Sequence, residues 1–118
     1  MQIAGYELTF VDCHEIGQGG PKACSLLIDG RDVMGRFDPS PLPYKSGILV
    51  PTRKMGFFVS GYALCFVDPQ TLRTRVVSRV LPYMKLTHVV DEYAEVQTAT
   101  YGNERARVRI KDVGLSAR

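Results

Sequence analysis

The chain lacks tryptophan, has only three cysteines and contains no long apolar run. Its longest apolar stretch, residues 62–67, has the length of a strand, whereas a membrane-spanning helix needs about 18–20 such residues. We therefore expect no membrane partner. The composition also lacks the high charge of a disordered chain and the repeats of collagen. With 118 residues, 45% of them hydrophobic, the chain is predicted to form one domain over residues 1–118.

The three cysteines, Cys13, Cys24 and Cys65, lack the close CxxC spacing of a zinc or redox site. Because an odd number cannot pair completely within one chain, reduced thiols are the simpler interpretation. The first seven residues also lack the basic and apolar regions of a signal peptide. Together these features predict a cytoplasmic protein.

The apolar residues recur mainly with period two, which is typical of strands. The first predicted strand begins at Tyr6. Strands over 23–28 and 31–37 flank Asp29-Gly30, and both residues of this pair tolerate the positive φ of a two-residue hairpin turn. Residues 62–67 are apolar on both alternating faces, which predicts a central strand that is buried on both sides.

Glycine and proline predict where strands are interrupted. The glycine-rich segment 17–21 is predicted to be a loop, and the three prolines in 38–43 predict a surface loop without a strand. A strand over 47–50 is predicted to stop at Pro51 and to resume at 57–59.

Two further hairpins are predicted in the second half of the chain. The turn Asp68-Pro69-Gln70-Thr71 leads into a strand over 72–80, with Arg73, Arg75 and Arg79 on its polar face. The opposite face of this strand is predicted to be core and carries Leu72, Thr74, Val76, Ser78 and Val80. Residues 81–95 fit a short helical turn as well as a strand.

The last predicted hairpin joins strands 95–101 and 104–110 through a type II′ turn at Gly102-Asn103. Its register places Arg105, Arg107 and Arg109 on one face, beside Thr98 and Thr100. About seven to eight short strands, without a helix of ten residues, predict an all-β antiparallel meander that forms a small sandwich or barrel.

No catalytic motif stands out. Cys13 and His14 are adjacent on a predicted strand and project to opposite sides, so they cannot form a dyad with each other. A pair of Cys24 or Cys65 with a histidine is weaker than the interpretation of small buried thiols. A metal site built from Cys13, His14, Cys24 and His88 has the right ligand types but scattered spacing.

Asp91, Glu92 and Glu95 form a small acidic cluster. We interpret it as a solvated face, because acid-base catalysis by paired carboxylates also requires burial or charge coupling. We therefore expect a protein that is not an enzyme and that needs no cofactor or metal.

Positive charge is concentrated in the second half of the chain. Residues 1–50 hold four basic and six acidic residues, whereas residues 51–118 hold eleven and six. The most organised polar feature is the two arginine stripes, Arg73, Arg75 and Arg79, and Arg105, Arg107 and Arg109. The guanidinium fork suits carboxylates, which predicts an acidic protein partner and a small inhibitor of the immunity-protein type. The alternatives are binding of RNA or single-stranded nucleic acid to the same arginines, and a barrel with an apolar ligand cavity.

Overall fold

The computed structural model describes residues 1–15, 22–54, 61–98 and 104–111, which form eleven strands and no helix. The predicted loop over 17–21 and the predicted strand over 57–59 lie outside these residues. No helix within the described ranges is long and apolar enough to span a membrane. The strands are β1 Gln2–Ile3, β2 Tyr6–Glu15, β3 Lys22–Ile28, β4 Arg31–Phe37, β5 Leu42–Tyr44, β6 Gly47–Lys54, β7 Gly61–Val67, β8 Thr74–Val76, β9 Lys85–Val90, β10 Tyr93–Gln97 and β11 Arg105–Arg109.

The strands form two antiparallel sheets. The large sheet has the order β1-β2-β3-β4-β6-β7-β8, with β5 also paired to β6, and the small sheet has the order β11-β10-β9. Neighbours in the sequence are mostly neighbours in a sheet, as predicted for a meander. The all-β antiparallel prediction is confirmed. The described strands do not close into a barrel, so their arrangement fits a sandwich and removes the basis for a barrel cavity.

The hairpin of β6 and β7 is the central layer of the molecule. All seven residues of β7 are buried, which confirms the prediction for this strand. One face of the hairpin packs against the small sheet in a cluster that includes Leu64, Phe66, Val96 and Val108. The other face packs against residues of β2, β3 and β4 in a second cluster. That second cluster contains Leu8, Leu26, Ile28, Val33, Phe37, Ile48, Val50, Cys65 and Val67.

The turn between β3 and β4 is confirmed. Asp29 has φ 50° and Gly30 has φ 80°, and β3 and β4 pair on either side of them. The Asp29 carboxylate also accepts a hydrogen bond from the backbone N–H of Glu7 at 2.9 Å. The turn residues therefore join β2 to the hairpin as well as reversing the chain.

The predicted interruption at Pro51 is wrong, because β6 runs through it and pairs Pro51 with Leu64 of β7. The carbonyl of Pro51 accepts a hydrogen bond from the N–H of Asp38 at 2.9 Å, so this edge of β6 faces β4 and β5. The nitrogen and carbonyl of one residue point to the same side of an antiparallel strand. The missing N–H therefore falls opposite Asp38, just past the end of β4, where the Asp38 carbonyl accepts the Ser40 N–H at 2.7 Å instead.

The surface loop predicted over 38–43 is also wrong in part. Strand β4 ends at Phe37 as expected, but Leu42–Tyr44 forms the short strand β5 on the edge of β6. Asp38 and Pro41 are buried. Proline is tolerated at an edge position because its missing donor then faces away from the ladder.

The return strand after the turn at Asp68 is shorter than predicted. The hairpin of β7 and β8 is confirmed, but β8 covers only Thr74–Val76, and both of its terminal residues are exposed rather than core. Beyond it, Val77 and Ser78 are both buried. The Val77 N–H donates to the Leu64 carbonyl, and the Ser78 hydroxyl accepts from the Leu64 N–H. The predicted alternation of core and polar residues along this strand therefore does not continue beyond Val76.

Candidate functional site

The small sheet begins with a hairpin that the sequence left undecided. Residues 85–97 are two strands joined at Asp91-Glu92, and Asp91 has φ 54°. Val90 pairs with Tyr93 across this turn. The turn has no glycine, so it lacked the usual hairpin signal, although aspartate also tolerates positive φ.

The pairing of β10 with β11 is antiparallel as predicted, but the predicted register is wrong by three residues. Gln97 lies opposite Arg105, Glu95 opposite Arg107 and Tyr93 opposite Arg109. A shift by an odd number exchanges the two faces of β10. The arginines therefore lie beside Tyr93, Glu95 and Gln97 instead of Thr98 and Thr100.

This register creates a face of three rows and three strands, which we call the outer face. Residues that are paired across strands share one side of a sheet, and the opposite side holds buried residues such as Ala94, Val96 and Val108. The three rows are Val90, Tyr93 and Arg109; His88, Glu95 and Arg107; and Lys85, Gln97 and Arg105.

Exposed apolar side chains lie beside charged ones on the outer face. Val90 is 47% exposed and Tyr93 is 40% exposed, next to three exposed arginines. The Arg107 guanidinium lies 5.8 Å from the centroid of the Tyr93 ring. This distance is within the range of a cation–π contact, which contributes about 0.5–1 kcal/mol at an exposed site.

Two arginines have carboxylates nearby. Arg107 Nη2 lies 3.6 Å from Glu95 Oε2, and Arg109 Nη2 lies 3.8 Å from Glu92 Oε2. Exposed pairs of this kind contribute about 0–1 kcal/mol. Glu92 and Glu95 of the acidic cluster thus act as weak counter-charges for two of the arginines.

The structure separates the predicted stripe of Arg73, Arg75 and Arg79 into two parts. Arg75 lies on β8 at the edge of the large sheet, and Arg73 directly precedes that strand. Arg79 lies beyond the end of β8 and lines a pocket with Arg109 and Lys111. The six predicted binding arginines therefore do not form one continuous face.

The prediction of three reduced thiols is wrong, because Cys13 and Cys24 form a disulfide. It joins β2 to β3 at a bulge, where Asp12 has φ 52° and the register shifts between Val11 and His14. Disulfides persist mainly in oxidising compartments. The expectation of a cytoplasmic location therefore loses its main support.

The remaining cysteine lies in the second of the two core clusters. Cys65 is buried, and this burial raises the pKa of its thiol to about 11, so the reactive thiolate does not form at neutral pH. His88 lies on the small sheet, apart from the strands of the large sheet that carry Cys13, His14 and Cys24. Within the described ranges, no three His, Cys, Asp or Glu residues are grouped to hold a metal ion.

Asp38 is a buried carboxylate that the sequence did not single out. It is 7% exposed, and it accepts hydrogen bonds from the Ser40 hydroxyl at 2.7 Å and the Lys22 N–H at 3.3 Å. The Ser40 oxygen in turn accepts the Leu86 N–H at 3.1 Å. These bonds link the large sheet to β9 of the small sheet, which indicates a structural role.

Asp38 predicts a pH dependence of stability. Burial raises the pKa of this carboxyl above its ordinary value of 3.8, against the opposing effect of the hydrogen bond from Ser40. The stability it contributes is therefore complete below the unfolded-state pKa and is lost as pH rises through the folded-state pKa. We expect Asp38→Asn to remove this pH-dependent loss, as measured by urea unfolding between about pH 3 and pH 8.

Ser40→Ala is the matched control for this experiment. It keeps the buried carboxyl but removes a hydrogen bond that favours the charged form, so the pKa of Asp38 should rise further. The loss of stability should therefore extend to higher pH. An Asp38→Asn protein that retains the wild-type pH dependence would show that another group titrates.

Comparison of the chain with known protein families, curated proteins and solved structures finds no match.

Proposed function

We propose that the protein is a non-enzymatic binding domain whose outer face docks on an acidic surface of a protein partner. The observation that carries this proposal is that exposed Val90 and Tyr93 share one sheet face with Arg105, Arg107 and Arg109. Tyrosine and arginine are enriched at protein interfaces and at their energetic hot spots.

The pattern of charge supports a protein rather than a nucleic acid. Glu95 occupies the centre of the outer face, between His88 and Arg107, and Glu92 lies beside Arg109. A phosphate backbone laid across this face would meet both carboxylates, whereas an acidic protein can place separate side chains against each arginine. The exposed apolar groups in the row of Arg109 add contact area that a protein surface can cover.

The non-enzymatic part of the proposal is supported by the pocket linings. The pockets beside the small sheet are lined, among the described residues, by arginine, lysine, tyrosine, valine, isoleucine and two acidic residues. These described linings contain no serine, cysteine or histidine. A binding domain that covers its partner in this way would act as an inhibitor of the immunity-protein type.

The test is capture of the partner from lysate of the producing cells with tagged full-length protein, at low and high salt. Wild-type protein should retain one stoichiometric protein at high salt. Arg105→Ala with Arg107→Ala should weaken that complex by about tenfold or more, since interface arginines often contribute about 2 kcal/mol each. The control, Lys54→Ala with Arg73→Ala, removes the same charge from exposed sites on the large sheet and should bind normally.

The outcomes separate the alternatives. Capture of a nucleic acid whose binding weakens steeply with rising salt would contradict a protein partner. It would favour binding of RNA or single-stranded nucleic acid instead. Equal loss in both double variants would show a non-specific charge effect and would overturn the assignment to the outer face. If the captured protein is an enzyme or toxin, inhibition of its activity by the purified chain tests the inhibitor role directly.

A further inference from the structure

A second surface lies at one margin of the outer face, where β11 ends. A pocket of about 460 Å³ is lined by Arg79, Val108, Arg109 and Lys111. A second pocket, of about 280 Å³, is also lined by Arg109 and Lys111, together with Tyr44, Lys45, Glu92 and Ile110. Arg109 and Lys111 line both pockets, and we call these two adjoining pockets the basic cleft.

Backbone hydrogen bonds connect the segments that carry three of the four cations of the basic cleft. The Lys111 N–H donates to the Val77 carbonyl at 2.7 Å, which holds the end of β11 against the segment that carries Arg79. The Ile110 N–H donates to the Glu92 carbonyl at 2.7 Å, which joins the same end to the turn of β9 and β10. The fourth cation, Lys45, comes from the turn between β5 and β6, where it has φ 51°.

The basic cleft has more positive than negative charge. It contains Arg79, Arg109, Lys111 and Lys45 but one described carboxylate, Glu92, which is mostly exposed and 3.8 Å from Arg109. No described residue forms a hydrogen bond or ion pair with the side chain of Arg79 or Lys111. Like charges that line the same pocket repel one another unless an anion lies between them.

We propose that the basic cleft binds a multiply charged oxyanion of the phosphate class. Arginine presents a planar fork that matches phosphate oxygens, and lysine adds a point charge. Several cations around the basic cleft suit a group with two or more negative charges better than a single carboxylate. This site does not depend on the proposed protein partner, although Arg109 belongs to both surfaces.

Isothermal titration of the purified full chain with inorganic phosphate and with pyrophosphate tests the site. We expect saturable binding of one equivalent, tighter for pyrophosphate because it carries more charge. Arg109→Gln should weaken binding by about tenfold or more, the effect of losing one charge-assisted hydrogen bond. Glu92→Gln should strengthen binding, because it removes the carboxylate that competes for Arg109.

Arg105→Gln is the matched control. Arg105 is the same residue type on the same strand and face, about 13 Å along β11 from Arg109, and it is absent from both described linings. Its substitution should leave pyrophosphate affinity nearly unchanged. If circular dichroism shows that Arg109→Gln does not fold, Arg79→Gln replaces it.

Three results would overturn the proposal: no saturable heat with either anion, equal weakening by Arg105→Gln and Arg109→Gln, or equally tight binding of succinate, which offers only carboxylates. This titration uses the purified chain alone, whereas the partner test uses Arg105→Ala with Arg107→Ala. A failure of one proposal is therefore distinguishable from a failure of the other.

Discussion

Replacing Phe66 by alanine is expected to lower the free energy of unfolding by about 3–5 kcal/mol. Phe66 is 2% exposed in β7, and its ring packs in the cluster between the central hairpin and the small sheet. The ring lies so close to Gly47 of β6 that a Cβ added there would collide with it. The substitution removes a large buried side chain and leaves a cavity in a region held by strands on both sides.

Urea unfolding of the two proteins, followed by circular dichroism, measures this difference. Met34→Ala is the control, because Met34 is 86% exposed on β4 and its truncation should change stability by about 0.5 kcal/mol or less. If Phe66→Ala lowers the free energy of unfolding no more than Met34→Ala does, β7 does not hold the two layers together.

The parts of the fold that the sequence predicted are those that short-range chemistry controls. Asp29-Gly30 forms its turn because both residues accept positive φ without help from distant segments. The apolar run 62–67 is buried on both faces because no side of it is polar enough to face water. In each case a few adjacent residues contain the necessary information.

Pro51 shows what adjacent residues do not contain. A proline normally ends a strand, and the sequence gives no indication that its missing N–H falls opposite a residue just past the end of β4. That position depends on β5 pairing with one end of β6 and β4 with the other, and these contacts include segments far apart in the chain. Such an arrangement is a property of the assembled sheet.

The register of β10 and β11 was predictable in principle. The turn signal at Gly102-Asn103 favoured a pairing that places Val96 opposite Arg109, on the polar face. The observed pairing places Val96 opposite Ala106, so that Ala94, Val96 and Val108 are all buried together. Burial of these apolar side chains outweighs the preference of a two-residue turn, because register is fixed by the face that is buried.

The candidate site follows from that register. The sequence predicted that Arg105, Arg107 and Arg109 share one face and that their acidic neighbours are solvated, but it did not relate the two groups. Glu92 and Glu95 lie beside two of these arginines only because of the turn at Asp91-Glu92 and the observed pairing. Lys111 was not predicted as a site residue because it lies past the predicted end of the last strand. Lys45 was not predicted because it is far from Arg109 in the sequence and comes from the turn between β5 and β6.

Removal of the Cys13–Cys24 disulfide is expected to lower the free energy of unfolding by about 2–4 kcal/mol. The two cysteines are 11 residues apart, so the crosslink shortens a loop that would otherwise be free in the unfolded chain. Their pairing depends on the bulge at Asp12, which moves Cys13 into the position opposite Cys24. The sequence does not show this bulge, and for that reason it favoured reduced thiols.

Urea unfolding with and without a reductant measures this contribution, and thiol titration identifies the pair. The unfolded, non-reduced protein should show one thiol, that of Cys65, and the reduced protein should show three. The folded protein should react slowly, because Cys65 is buried and the pKa of its thiol is raised to about 11. Cys13→Ser with Cys24→Ser should unfold identically with and without reductant. Three thiols in the unfolded, non-reduced protein would show that the disulfide is absent and would return support to a reducing compartment.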